Sequence, residues 1–280
     1  MKEFIIEKND AGQRLDKFIS KAVPALPTSL MYKYIRLKRV KINGKRADIK
    51  TMLQLGDVIS FYVNDEFFEA SSNEDFKKIT PKISVAYEDD NIIIIDKAAG
   101  MICHSDDTEQ FNTLINHILA YLYRKGEYDP EKELSFTPAL CNRIDRNTKG
   151  LVIAAKNAES HRILSEKIRE REIKKYYLCI LSAIPEKKSG RIENYLCKNE
   201  AQNRVYVHQS AVPGSKQAIT CYNVLKTKNG LALAEVELIT GRTHQIRAHF
   251  AHIGCPLLGD GKYGKNETNK QYGLQKQQLQ

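Results

Sequence analysis

The stretch Cys141-Asn142-Arg143-Ile144-Asp145-Arg146-Asn147-Thr148-Lys149-Gly150 sets one carboxylate, Asp145, between two arginines. A Thr-Lys-Gly turn follows, and then the apolar run Leu151 to Ala155. Opposite charges within a few ångströms favour an ionised carboxylate, so a loop of this kind can hold a nucleophilic acid at the rim of a sheet. Alone, the segment is more simply an Asx turn closing a strand connection.

A second dense segment runs Thr240-Gly241-Arg242-Thr243-His244-Gln245-Ile246-Arg247-Ala248-His249-Phe250-Ala251-His252-Ile253-Gly254. Gly241 can turn the chain and Thr243 can cap a helix. Ile246, Phe250 and Ile253 then share one helical face towards a core. Arg242, beside free N–H groups at the helix start, is placed to meet phosphate. Arg247, one turn in, can reach a carboxylate. His244, His249 and His252 lack the carboxylate or cysteine that would complete a metal set, so no metal site is expected.

These residues need a scaffold. The 280 residues suffice for one large and one small domain. Net charge is +10, which points to a polyanionic partner. The excess is concentrated at the start, since residues 1–63 hold 13 Lys+Arg against 6 Asp+Glu. No apolar run reaches the roughly 20 residues that span a bilayer, and no signal peptide is expected. Six scattered cysteines without a Cys-x-x-Cys pair read as reduced thiols of a cytoplasmic protein.

Residues 1–63 read as a compact basic module. Leu15, Phe18, Ile19 and Val23 fall at helical spacing. A second helix is expected from Thr28 or Ser29, either as its cap, towards Leu37. Asn43-Gly44 marks a hairpin, and a strand follows Gly56-Asp57. Residues 64–80, with Ser71-Ser72-Asn73-Glu74-Asp75, read as a linker. A second domain, 81–280, shows strands near Val85–Glu88, Ile92–Ile95 and Lys174–Leu181. A helix is expected from Asn157 to Arg171, with Ile163, Leu164 and Ile168 at its apolar spacing. A hairpin is expected about Lys228-Asn229-Gly230, with Ala232, Ala234, Val236 and Leu238 on one face. Many strands in no regular βαβ order give an α+β class. Lys265 to Gln280, rich in Gln, Lys and Asn, reads as loosely held.

Two helices, a basic turn, Val40-x-Ile42-Asn43-Gly44 and Gly56-Asp57-x-Ile59 resemble the S4-type RNA-binding domain. That resemblance implies RNA contacts, read mainly through shape and phosphate. The side chains expected to make them are Arg14, Lys17, Lys33, Arg36, Lys38, Arg39, Lys41, Lys45 and Arg46. Five further motifs occur in order: Asp96-Lys97-x-x-Gly100, Arg143-Ile144-Asp145-x-x-Thr148-x-Gly150, Lys175-Tyr176-Tyr177-Leu178, Thr240 to Arg247, and Pro256-Leu257-Leu258-Gly259-Asp260-x-x-Tyr263-Gly264. Together they resemble the RluA-type pseudouridine synthases over residues 83–264.

The resemblance implies the pseudouridine synthase fold, a mostly antiparallel mixed sheet flanked by helices and loops. It implies isomerisation of uridine to pseudouridine in RNA without cofactor or metal. Asp145 would be the catalytic carboxylate, acting on the ring, on the sugar or as a base towards the ribose. Tyr177 would pack on the uracil and Arg247 would pair with Asp145. Arg143 would hold the flipped nucleotide's place. Arg146, Lys149, Arg242 and His244 would contact RNA. Large-subunit (23S) ribosomal RNA is the expected substrate, with transfer RNA second, and the protein is expected to be a monomer. A non-catalytic RNA-binding or ribosome-assembly factor on the same fold is the alternative. The sequence departs from the family pattern at Asn142, where histidine is usual, and at Lys149, where a small residue is usual. The family also continues with a further strand beyond Leu274, so the catalytic domain reads as shortened at Gln280.

Overall fold

The computed structural model describes all residues except 69–74, 265 and 275. In chain order the elements are β1 Lys2–Ile5, α1 Leu15–Ala22, α2 Thr28–Arg36, β2 Val40–Ile42, β3 Lys45–Arg46, β4 Val58–Phe61, β5 Val85–Glu88, β6 Ile92–Lys97, α3 Leu114–Lys125, β7 Ala139–Leu140, β8 Gly150–Ala155, α4 Ala158–Arg169, β9 Tyr176–Leu181, β10 Ser189–Asn199, β11 Arg204–His208, β12 Lys216–Lys228, β13 Leu231–Leu238, α5 Gln245–His252 and α6 Asn266–Gln271. The class is α+β. Two compact units emerge. One comprises Met1–Ile95, His104–Asn142 and Ile153–Ser165, the other Asp96–Cys103, Arg143–Val152 and Glu166–Gln280. No helix among the described residues is long and apolar enough to cross a membrane.

In the first unit, β1, β4, β2 and β3 form a sheet in that order. The helical spacing noted above buries Leu15, Phe18, Ile19 and Val23 completely beneath it. Phe4 meets Phe18 and Phe61 edge-on, the geometry that ring quadrupoles favour. Asn43 and Gly44, both at positive φ, close the β2–β3 turn. Neither Thr28 nor Ser29 caps α2. Pro27 occupies the N-cap and makes no side-chain cap bond, its ring presetting the extended entry. Of the expected 64–80 linker, residues 69–74 lie outside the described residues, and Asp65–Phe68 and Asp75–Lys78 are short 3-10 turns. Helix α4 buries no side chain, so the spacing of Ile163, Leu164 and Ile168 does not mark a core face.

In the second unit, the sheet runs β11-β10-β12-β13-β9, all antiparallel. Ala232, Ala234 and Val236 are fully buried on one face, as strand alternation requires. They pack with Cys179, Leu181, Ile246, Phe250 and Leu257. The expectation of a loose C-terminal stretch is overturned over its last residues. Leu178 donates its amide to the carbonyl of Gln280 and receives one back, and Ile180 donates to Gln278. Leu279 and Gln277 are buried. An edge strand leaves unpaired N–H and C=O groups, and β9 satisfies its own with this polar tail. Its composition gave no sign of that role, because backbone pairing does not depend on side-chain type. Strands β5, β6, β8 and β7 form a further sheet in that order, and along the chain Asp145 falls between β7 and β8.

Candidate active site

Asp145 lies on the irregular loop between β7 and β8 and is 29% exposed. Its carbonyl accepts the amide of Thr148, a tight turn that leaves the carboxylate outside it. The loop is fastened from beneath. Lys97, almost wholly buried, donates from Nζ to the carbonyls of Ala98, Met101 and Arg146 at 3.0, 2.8 and 3.1 Å. The amide of Gly100 also bonds to the Arg146 carbonyl, at 2.7 Å. Burial pulls the Lys97 ammonium below its ordinary pKa, opposed in part by Asp145.

Arg247 enters from α5 with 9% of its side chain exposed. Its guanidinium is divided between two acids. Nε and Nη2 donate to the Oδ2 and Oδ1 of Asp260 at 2.7 and 3.0 Å, and Nη1 donates to the Oδ2 of Asp145 at 3.1 Å. Asp260 has no exposed side-chain area, and its Oδ1 also accepts the amides of Lys262 and Tyr263 at 2.9 and 3.0 Å. Burial alone would raise the Asp260 pKa, but Arg247 and these amides outweigh it and hold the carboxyl below its usual range. Burial likewise opposes the charge on Arg247, and Asp260 and Asp145 override it. A bidentate pair fixes the plane of the guanidinium as well as its place. The third nitrogen therefore has one direction to point, towards Asp145.

The entry to α5 sets this aim. Gln245 is buried, accepts at Oε1 from the Arg242 amide and the Thr240 hydroxyl, and donates from Nε2 to the Ile219 carbonyl and the Thr220 hydroxyl. The N-cap is His244 and not Thr243, in a left-handed conformation with φ 51° and without a side-chain cap bond. Gln245 does the fastening that a capping hydroxyl would have done. Ile246 and Phe250 face the core as expected, whereas Ile253 is 37% exposed, because the helix ends at His252. Gly259 and Gly264 explain the spacing around Asp260. A Cβ at Gly259 would overlap the Lys276 carbonyl, and one at Gly264 the Asp260 carbonyl.

Tyr177 sits on β9 opposite Val236 and packs against the buried cluster of this unit. Burial first, and then the neighbouring Asp145 carboxylate, push its phenol up to about 12, so it is neutral across the physiological range. His244 places Nε2 3.9 Å from the Oδ2 of Asp145 and Nδ1 3.0 Å from the hydroxyl of Tyr263. The Tyr263 ring also carries the Arg247 guanidinium over it at 5.1 Å. His249 bonds Thr220 and is fully buried, and among the described residues no group of three or more His, Cys, Asp or Glu is placed to hold a metal ion.

Asp145, Tyr177, Arg247 and His244 are thus drawn together, with Asp260, Tyr263, Gln245 and Lys97 as members to which sequence reasoning assigned no role. Asp260 and Tyr263 were visible only as letters of the Gly-Asp-x-x-Tyr-Gly spacing. Arg143 and Arg146 flank Asp145 with exposed side chains on irregular backbone. Lys149 is exposed and 3.6 Å from Asp96, and Arg242 donates to the Gln217 carbonyl. In the first unit, Arg14 is turned bidentately onto Asp16 at 2.7 and 3.0 Å. Lys17, Lys33, Arg36, Lys38, Arg39, Lys45 and Arg46 are exposed and Lys41 is half-buried. Asn142, at the departure from the family pattern, accepts the Ile153 amide at 2.8 Å and so closes a strand edge.

The chain matches the family model for RNA pseudouridylate synthases over residues 91–252 and that for the S4 domain over 13–59. An uncharacterised RNA pseudouridine synthase of Mycoplasma genitalium is 30% identical to it, over 96% of this chain and 84% of the relative. The ribosomal large subunit pseudouridine synthase C of Rickettsia conorii is 33% identical, over 91% and 84%. Among solved structures, human RNA pseudouridylate synthase domain containing 1 superposes with a TM-score of 0.56 at 20% identity, over 71% of this chain and 76% of that one. That likeness speaks to the fold.

Proposed function

The chain belongs to the RNA pseudouridylate synthase family, whose model covers more than half of it, and from that premise we propose that Asp145 is its catalytic carboxylate and large-subunit ribosomal RNA its substrate. The enzyme is an isomerase. The glycosidic bond of a uridine breaks at N1, the base turns, and a bond forms from C5 to the sugar, with the C5 proton lost and N1 regaining one. A base within structured RNA must first leave its stack, and an aromatic side chain in a pocket can receive its face. Tyr177 is neutral and held by the strand in reach of Asp145, which fits that task.

One observation carries the reading. A single carboxylate, partly open to solvent, is held by one nitrogen of an arginine that a buried second acid, Asp260, keeps rigid. That is positioning catalysis, in which an ångström of displacement costs about 10²-fold. The same arrangement serves attack on the ring or the sugar and proton removal from the ribose. The choice of RNA is supported by the Rickettsia relatives named for the ribosomal large subunit and by the basic S4 module.

The test is tritium release from RNA labelled at uridine C5, offered as ribosomal and as transfer RNA, with wild type and Asp145→Asn. Release by wild type from ribosomal RNA and none by the variant is expected. Equal release from both proteins removes Asp145 from the chemistry. Pseudouridine mapping with and without the gene then checks the substrate, and unchanged ribosomal RNA overturns it.

A further inference from the structure

Resting on the reading of Asp145 above, we infer that His244, held in one tautomer by Tyr263, positions the Asp145 carboxylate, fixing Oδ2 and leaving Oδ1 to meet the uridine. The sequence placed His244 among the RNA contacts. The geometry points inward instead. Only 11% of the side chain is exposed, and its two nitrogens face Asp145 and Tyr263.

The hydrogen-bond inventory selects the tautomer. The Tyr263 oxygen already accepts the amide of Val205 at 2.8 Å. Its own proton has His244 Nδ1, 3.0 Å away, as acceptor. A neutral imidazole carries one N–H, so that proton sits on Nε2. Nε2–H then faces the Oδ2 of Asp145. The reverse tautomer would strand the phenolic proton and turn a lone pair towards a carboxylate. The separation of 3.9 Å is longer than a hydrogen bond, and catalytic contacts of this kind tighten when substrate is bound.

Two further observations agree. Oδ2 is also the atom that Arg247 binds, so both donors converge on one oxygen. His244 also adopts a left-handed conformation without being glycine, one that crowds a Cβ against the following carbonyl. Such strain persists where the surroundings over-determine it, and it clusters at functional sites. Burial lowers the proton affinity of His244, opposed by Asp145 and reinforced by Arg247 and Lys262. A neutral, enclosed imidazole is a poor phosphate ligand and a good orienting donor.

The experiment compares His244→Gln, His244→Leu and Tyr263→Phe in the full chain, on a large-subunit ribosomal RNA transcript tritiated at uridine C5. Gln keeps an amide donor near Nε2 and Leu does not, while both bear the same backbone strain. At saturating RNA the Leu variant should isomerise about 10²-fold more slowly, with Gln restoring most of that rate. RNA affinity and its salt dependence should be unchanged in both. An unchanged rate in Leu overturns the inference. So does weakened affinity with the salt slope reduced by about one, the signature of a phosphate contact. Nitrogen-15 spectra of the imidazoles decide the tautomer without activity, His244 being assigned by its loss in the Gln variant. Nδ1 should be unprotonated in wild type and its tautomer population shifted in Tyr263→Phe, and a protonated Nδ1 in wild type overturns the inference. If the wild type releases no label, the catalytic reading falls, and the spectra still decide His244.

Discussion

Arg247 is enclosed and shared between two carboxylates, whereas Lys33, Arg36, Lys38, Arg39, Lys45 and Arg46 stand in solvent without an ion pair among the described residues. Both regions are cationic, but they use charge differently. A buried guanidinium cannot be left unpaired, because desolvation of a lone charge outweighs nearly everything else at the site. Its partners are therefore dictated by the fold, and its direction is fixed. Solvated lysines and arginines of the N-terminal module cost nothing to leave free and can follow the backbone of a nucleic acid. One arrangement suits a reaction that needs a fixed distance, and the other suits a partner recognised by shape and phosphate.

The comparison can be broken most decisively at Asp145. Asp145→Asn should lower single-turnover isomerisation by at least about 10⁴-fold, the scale on which an enzyme loses a residue acting on the reacting atoms. RNA affinity measured by filter binding should hold. Loss of both together would erase the distinction between the two regions. Next comes Asp260→Asn, which leaves Arg247 with Asp145 as its remaining acidic partner. Activity should fall about 10²-fold. Urea unfolding should show about 3–5 kcal/mol less stability, the usual result of breaking a buried pair.

A pH titration sharpens the contrast further. His249, buried against Thr220, has its pKa pushed down to about 4 by burial. The unfolded chain takes up a proton there as pH falls below about 6.5, and the folded chain does not until about 4. Stability therefore declines between those values, by about 3 kcal/mol, and levels off below them. His249→Gln should flatten that decline in urea midpoints, and an unaltered curve would show that His249 is not its source. The smallest effect is expected in the basic module. Lys33→Ala, Arg36→Ala and Lys45→Ala combined should reduce the salt slope of RNA binding by about two to three, with the rate at saturating RNA unchanged. A rate change there would tie the module to the chemistry.

Much of this protein was legible in its residues. Helix α1, the Asn43-Gly44 and Asn229-Gly230 turns, and the alternating face of β13 are local patterns whose cause lies within a few residues. The five ordered motifs likewise brought out Asp145, Tyr177 and Arg247. Asp260 escaped because its role depends on Arg247, 13 residues away and on another element. The pairing of the C-terminal tail with β9 escaped because a polar run of Gln and Lys can satisfy a sheet edge as well as any apolar strand.

The sequence by itself determined the family, the elements and the side chains available for chemistry, because propensity, turn geometry and motif order are written along the chain. Only the tertiary structure decided how they are used. It gave Arg247 two acids instead of one, turned Arg14 onto Asp16, and made Gln245 rather than Thr243 the anchor of α5. It also turned His244 inward. The reason is physical. Burial and hydrogen-bond satisfaction are properties of groups brought together from distant parts of the chain, and they set which nitrogen donates, which acid stays charged and which oxygen is left free.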